Sequence, residues 1–360
     1  MISRSMRYLF CVVLLLMLSS CGLLGSDDSD DSKSTGTLAD LEPAIMPEKN
    51  PALPQVNLDA LIEIYNDVLT ATTEPGIQIQ VYQRLAGLEM KRSESNLFDN
   101  EESGQFDLAI SAYQRLIDAS PDGEKTDRLR YQLSKAYDLS GNSEKSMQVL
   151  NDAVTKNPDS VHYGEIQFRR AEIFFSQVDY RNAELAYAEV IKQGEFGYHY
   201  KNSLYMHGWS LFKQQRYRDS LASFILVLDV NITEDKYISV LDLNVPLDNN
   251  LQNLKRSDRE LSLDVLRVMS VVFSYLDGPK TITQEFSKNL GERHYMPLVY
   301  AQLGKLYLKK ERFRDSADTY RAFVTEYPLS DQAPVFYGSL IDAYVAGAFV
   351  EDVLREKEQY

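Results

Sequence analysis

Between Tyr300 and Pro328 the apolar and small positions fall into two runs at helical spacing: Tyr300, Leu303, Gly304 and Tyr307, then Phe313, Ser316, Tyr320 and Phe323. Such runs predict two short amphipathic helices packed face to face. Gly304 lets the backbones approach, Lys310 to Arg312 form the turn, and Pro328 ends the second helix. The unit recurs upstream, where turns are expected at Gln105-Phe106, Asn142-Ser143, Asp179-Tyr180 and Arg216-Tyr217, each 37 residues after the last. Around them lie the matching positions: Leu133, Ala136 and Leu150 in one copy, Ala171, Ala183 and Tyr187 in the next, Leu204, Gly208 and Phe224 in the third. A final copy runs from Phe336 through Tyr344 and Phe349 to Tyr360. Small residues at a helix crossing with large ones around them are what close antiparallel packing requires.

Two places break the rhythm. A first helix over Ile77 to Lys91 is followed by the polar stretch SESNLFDNEESG, which predicts a lengthened loop before Phe106. Between the turns at Arg216 and Arg312 lie a degenerate pair, Leu261 to Leu276 and Thr281 to Leu290, and an insertion of about 229–258. A long insertion in a repeat array maps to one face and is often functional. The alternative is a tolerated surface loop, because loop length costs little closure entropy. The last helix ends without a polar cap, which fits an array that continues, a dimer contact or an imperfect cap.

The order of aromatic, Leu-Gly, aromatic, small, aromatic and Pro over 300–328 resembles the tetratricopeptide repeat, and the resemblance extends over roughly 58–360. It implies an all-α, helix-turn-helix solenoid with one long insertion, in which the first helix of each pair lines a groove for protein or peptide. Aligned to that repeat, the inward positions are Tyr131, Lys135 and Asp138, then Phe168, Glu172 and Phe175, then Tyr205, Trp209 and Phe212, and later Lys305 and Leu308. Trp209 is the sole tryptophan, and its readings are an interface anchor or packing between neighbouring first helices. The interval exceeds the ~34 residues of the basic repeat, which implies longer helices or inter-repeat turns. Envelope repeat proteins have similar extended units.

A hydrophobic content of 44% with 17 Gly and 12 Pro in 360 residues suits helical packing over disorder. The formal charge is −15, and removing residues 1–20, which carry Arg4 and Arg7 and no acid, deepens it to −17. A phosphate-backbone ligand is therefore disfavoured. Both cysteines fall in the first 21 residues, so the repeats can form no internal disulfide.

Residues 1–20 have a basic start, an apolar run over Tyr8 to Leu18 and then Ser19 and Ser20, which reads as a secretory signal. The run is shorter than the ~20 residues a membrane-crossing helix needs. Leu18-Ser19-Ser20-Cys21 resembles the bacterial lipobox, which implies acylation of Cys21 as the first mature residue. By resemblance to Gram-negative lipoproteins, Gly22 implies transfer to the periplasmic face of the outer membrane. The rest of 21–57 is rich in Asp, Ser and Pro and reads as a disordered tether.

Catalytic chemistry finds little support. The four histidines, at 162, 199, 207 and 294, form no HExxH pattern, and a partly buried structural role is expected for His207. The stretch from Asp229 begins like a calcium loop but has Glu234 where the turn needs Gly and Val240 where it needs Glu. GxxxxGK[ST], GxSxG and GxGxxG are all absent from the sequence. The expectation is therefore a non-catalytic scaffold without cofactor or metal, binding an envelope protein or peptide. A peptidoglycan- or exopolysaccharide-binding protein is the alternative, and an enzyme built on the insertion is a third class.

Overall fold

Most helices form where the two-run pattern places them, and five of the helix pairs are closed by the same turn. In the computed structural model, which describes residues 57–96, 106–121, 126–239, 241–286 and 293–359, all regular structure is helical. The signal sequence, Cys21 and the Asp- and Pro-rich stretch lie outside the described residues.

The helices are α1 (Leu58–Ala71), α2 (Pro75–Asn96), α3 (Asp107–Ala119), α4 (Thr126–Leu139), α5 (Ser143–Lys156), α6 (Tyr163–Ser176), α7 (Tyr180–Ile191), α8 (Tyr200–Lys213) and α9 (Tyr217–Asn231). After the insertion come α10 (Arg256–Tyr275), α11 (Pro279–Gln284), α12 (Met296–Lys309), α13 (Phe313–Glu326), α14 (Ala333–Ala346) and α15 (Val350–Gln359). Even-numbered helices from α2 onward are the first members of pairs and odd-numbered ones the second. Each second helix also packs on the next first helix, which is the stacking of a solenoid.

Five turns share one hydrogen-bond pattern. Asn142, Asp179, Arg216, Arg312 and Phe349 each donate their backbone N–H to the carbonyl five residues back, and the residue before each of them has positive φ. This is the Schellman closure, which satisfies carbonyls that a helix end would leave open. The left-handed residues are Gly141, Val178, Gln215, Glu311 and Ala348, so glycine fills only one of the five. Val178 has φ +69°, the conformation a β-branched side chain tolerates least. Val178→Gly is expected to raise the unfolding free energy by about 1 kcal/mol, read from urea denaturation. An unchanged midpoint would show that the turn adjusts without strain.

Four of the helices after these turns start on two different devices. Asn142 Oδ1 accepts from Lys145 N at 3.1 Å and Asp179 Oδ1 from Asn182 N at 3.2 Å, ordinary side-chain N-caps. At α9 and α13 an arginine takes the cap position and binds an aspartate in the first turn instead, Arg216–Asp219 at 2.9 Å and Arg312–Asp315 at 2.6 Å. Those carboxylates also sit favourably against the helix dipole.

Three features differ from the sequence reading. Helix α2 runs on to Asn96, so the first residues of the expected SESNLFDNEESG loop are helical. An additional helix, α1, packs Ile62, Tyr65 and Leu69 on Val81, Leu85 and Leu88 of α2. The insertion proper is 232–255, and it is no loose loop: Leu241, Leu243, Leu247, Leu251 and Leu254 are all buried. These leucines join one core that is continuous from Leu204 to Tyr344, whereas upstream the buried side chains fall into four smaller clusters. Among the described residues no helix is long and apolar enough to cross a membrane.

Candidate functional site

The inward positions lie on successive first helices, and the structure ties them together by contacts from one repeat to the next. Lys135 on α4 donates to Glu94 on α2 at 2.6 Å. Asp138 on α4 pairs with Arg169 on α6 and also accepts from Ser143 Oγ at 3.0 Å. Phe168 on α6 stacks on His199, the residue before α8, with ring centroids 4.1 Å apart. Tyr205 on α8 donates its hydroxyl to Asp264 on α10, and Phe212 stacks on Tyr275 of α10. Tyr131 on α4 faces Glu165 on α6, and its phenol pKa is raised by burial first and by that carboxylate next. The first helices from α2 to α10 thus make one cross-braced face of half-buried rings and paired charges.

The remaining positions on that face serve their own pair. Glu172 accepts from the buried Tyr187 hydroxyl on α7, and burial with this bond drives that phenol's pKa far upward. Phe175 packs edge-on against Tyr180, at 5.2 Å. Trp209 touches Tyr205 and Phe212 on its own helix and Phe224 on α9, and the Lys213 ammonium lies 5.8 Å from its ring centroid. The indole is half-buried, so it takes part in core packing and keeps a solvent-facing portion. Burial, then the bond to Asp264, pushes the Tyr205 phenol up to about 12, and Asp264 is itself paired with Arg267.

Lys305 and Leu308 on α12 belong to a different environment. Lys305 Nζ donates to the backbone carbonyl of Val245 in the insertion at 2.6 Å, and Leu308 packs against the core that contains the insertion's leucines. Burial lowers the Lys305 pKa, an effect opposed by nearby Asp242. Gln332, the N-cap of α14, holds the same segment at two points: its Nε2 donates to Ser239 O at 2.7 Å and its Oε1 accepts from Leu241 N at 3.2 Å. Within the insertion, Ile238 N donates to Asn250 O and Asn250 Nδ2 to Ile238 O, closing the segment on itself. The chain's own insertion therefore occupies the first-helix face at α12, where sequence alignment placed open groove.

A cavity of about 670 Å³ lies between α2, α3 and α4, lined by Lys91, Glu94, Arg128 and Lys135 together with Gln83 and Met90. Of these, only Lys135 was accessible to the repeat alignment. The others precede the first clear copy or lie at a position where the alignment named no residue. His199 and His207 are packing groups: His207 Nδ1 lies 2.8 Å from Ser223 Oγ, His199 stacks on Phe168, and burial lowers the pKa of both. Among the described residues no group of three His, Cys, Asp or Glu side chains is placed to hold a metal ion.

Residues 101–161 match the tetratricopeptide repeat family model. A search of curated proteins finds no sequence relative. Among solved structures, the chain is similar to the C-terminal part of a TPR repeat-containing protein from Cytophaga hutchinsonii, 11% identical with a TM-score of 0.43, over 78% of this chain and 94% of that one. It is also similar to a tetratricopeptide repeat protein from Parabacteroides merdae, 13% identical with a TM-score of 0.34, over 75% of this chain and 91% of that one. A third is the TPR2AB domain of yeast Sti1, solved as a complex with pHSP90, 12% identical with a TM-score of 0.21, over 81% and 92% of the two chains. The helix pairs and the turn that five of them share define an all-α helix-turn-helix solenoid, in which residues 101–161 carry the tetratricopeptide match. Proteins of this type are generally scaffolds that bind protein or peptide.

Proposed function

We propose that this chain is a non-catalytic lipoprotein scaffold, acylated at Cys21 and held at the periplasmic face of the outer membrane. Its first-helix face over α4, α6 and α8 binds a protein or peptide partner in envelope assembly, transport or maintenance. The observation that carries the binding reading is the insertion itself. Along α12 and at the start of α14, side chains already hold a non-helical segment by its main chain, through Lys305 to Val245 and Gln332 to Ser239 and Leu241. Such recognition suits a peptide and needs no reactive group. Upstream, the aligned positions carry Tyr131, Phe168 and Tyr205 with Lys135, Glu172 and Trp209, a mixture of rings and charges that suits a peptide in extended form. The anchor reading is supported by the lipobox-like tetrad before Cys21 and the polar stretch after it.

The test is a crosslinking pull-down from envelopes of the source organism, analysed for proteins and for muropeptides. Trp209→Ala is expected to reduce capture of a defined protein roughly tenfold or more, as loss of an interface anchor does. Circular dichroism must show the helices intact, because the indole also packs on Phe224. Capture of muropeptides without a protein would replace the peptide reading with the glycan one. Cys21→Ala is expected to shift the chain out of the outer-membrane fraction, and unchanged fractionation would remove the anchor.

A further inference from the structure

The antiparallel pairs put two kinds of turn at opposite edges of the array. Turns inside a pair lie at one edge, and turns leading to the next pair lie at the other. Among the described residues, four large hydrophobic side chains are more than nine-tenths exposed: Val161 at 93%, Phe196 at 97%, Tyr198 at 95% and Leu329 at 96%. All four lie on turns between pairs, at 157–162, 192–199 and 327–332. The next most exposed, Val178 at 66%, is on the opposite edge. The concentration at one edge is what requires explanation, since scattered single apolar residues are ordinary.

We infer that this edge is a bilayer-contacting surface, with Val161, Phe196, Tyr198 and Leu329 inserting into the headgroup region of the membrane that carries the anchor. A protein interface gathers its apolar side chains into a contiguous, half-buried patch with rings seated in pockets. Here the side chains stand singly on turn tips, and Phe196 is flanked by Gly194 and Gly197, with Gly194 at φ +93°. Isolated aromatic and aliphatic tips of this kind enter the interfacial layer one at a time, and a tyrosine can keep its hydroxyl at headgroup level.

The inference rests on the anchor reading for its choice of occupant. Thirty-five residues separate Cys21 from Asn57. Such a length of chain spans on the order of 100 Å at most, which keeps the repeats within reach of the lipid surface throughout. Charge does not drive the contact. Lys156 and Lys192 flank the first two turns beside Asp159 and Glu195, Glu326 and Asp331 flank the third, and the whole chain carries −15. The contact therefore depends on apolar burial and is expected to survive high salt.

The experiment uses the mature chain with Cys21→Ser, whose amino end carries a histidine tag bound to chelator lipid in phosphatidylethanolamine–phosphatidylglycerol vesicles. With no other cysteine present, Phe196→Cys, Val161→Cys and, on the opposite edge, Val350→Cys each place one polarity-sensitive fluorophore. Quenching by nitroxide-labelled lipid is expected to be greater by roughly twofold or more at 196 and 161 than at 350, and unchanged in high salt. Equal or absent quenching at the two edges overturns the inference. So does a concentration-dependent emission shift without vesicles, which would make the edge a contact between copies of the chain. The chelated tag replaces the acyl chains, so failure of the anchor reading is seen separately, in the fractionation of Cys21→Ala.

Discussion

Leu251→Ala is expected to destabilise the C-terminal half of the array by about 2–5 kcal/mol, the cost of emptying a fully buried leucine site. Leu251 is completely shielded from solvent and shares its core with Val265, Met269 and Val272 of α10. Asp248, in the same short turn of 3-10 helix but exposed, is the control, and its replacement by alanine is expected to change stability by less than about 0.5 kcal/mol. Urea unfolding of both variants checks the pair, and hydrogen exchange locates the loss at α10 to α14. Equal effects would mean that the insertion is a peripheral loop that can leave the first-helix face. The proposed restriction of partner binding to the upstream repeats would then fall with it.

Gly304→Ala is expected to cost about 1–3 kcal/mol or more, because a methyl group at 304 lands in the ring of Tyr320. Tyr320 cannot readily withdraw. It is buried and meets Phe336 edge-on at 5.8 Å, while Ser316 Oγ donates to Gly304 O at 3.0 Å across the same crossing. Gly338→Ala supplies the contrast. No atom lies within 4 Å of an added methyl there, and relief of glycine's backbone entropy inside α14 is expected to stabilise by about 0.5–1 kcal/mol. Opposite signs for the two substitutions are the expected result. If both stabilise, close helix approach is not what requires glycine at 304.

The crossing at Gly304 was legible in the sequence because its requirement is local. A glycine twelve residues before a Ser, with rings on either side, states the packing without reference to anything distant. The interval of 37 residues was legible for the same reason, and the structure places helix starts at Ser143, Tyr180 and Tyr217 on it. The left-handed turn residues were not. Val178 and Gln215 run against backbone preference, and only the closing hydrogen bonds of the turn require positive φ there. The helical end of α2 was also hidden, because Ser93 to Asn96 carry too little apolar periodicity to extend the pattern beyond Lys91.

Of the candidate site, the sequence named positions on successive first helices but not the contacts that join them. Arg169 against Asp138 and Asp264 against Tyr205 come from neighbouring repeats, and nothing in either repeat alone names its partner. The repeat places Lys305 in the groove because its position matches Lys135 and Trp209. Its carbonyl partner at Val245 belongs to a segment with no repeat position at all.

By itself, then, the sequence determined the all-helical pairing, the common interval and the small-residue crossings, each of which depends on contacts within one repeat or between adjacent ones. Tertiary structure alone decided where the insertion goes. Its leucines at 243, 247, 251 and 254 have helical spacing although only Leu247–Leu251 forms a short 3-10 helix, and Gln332 grips the segment across 91 and 93 residues of chain. Burial of such a segment depends on a surface assembled by helices that come later in the chain, and no local pattern encodes that.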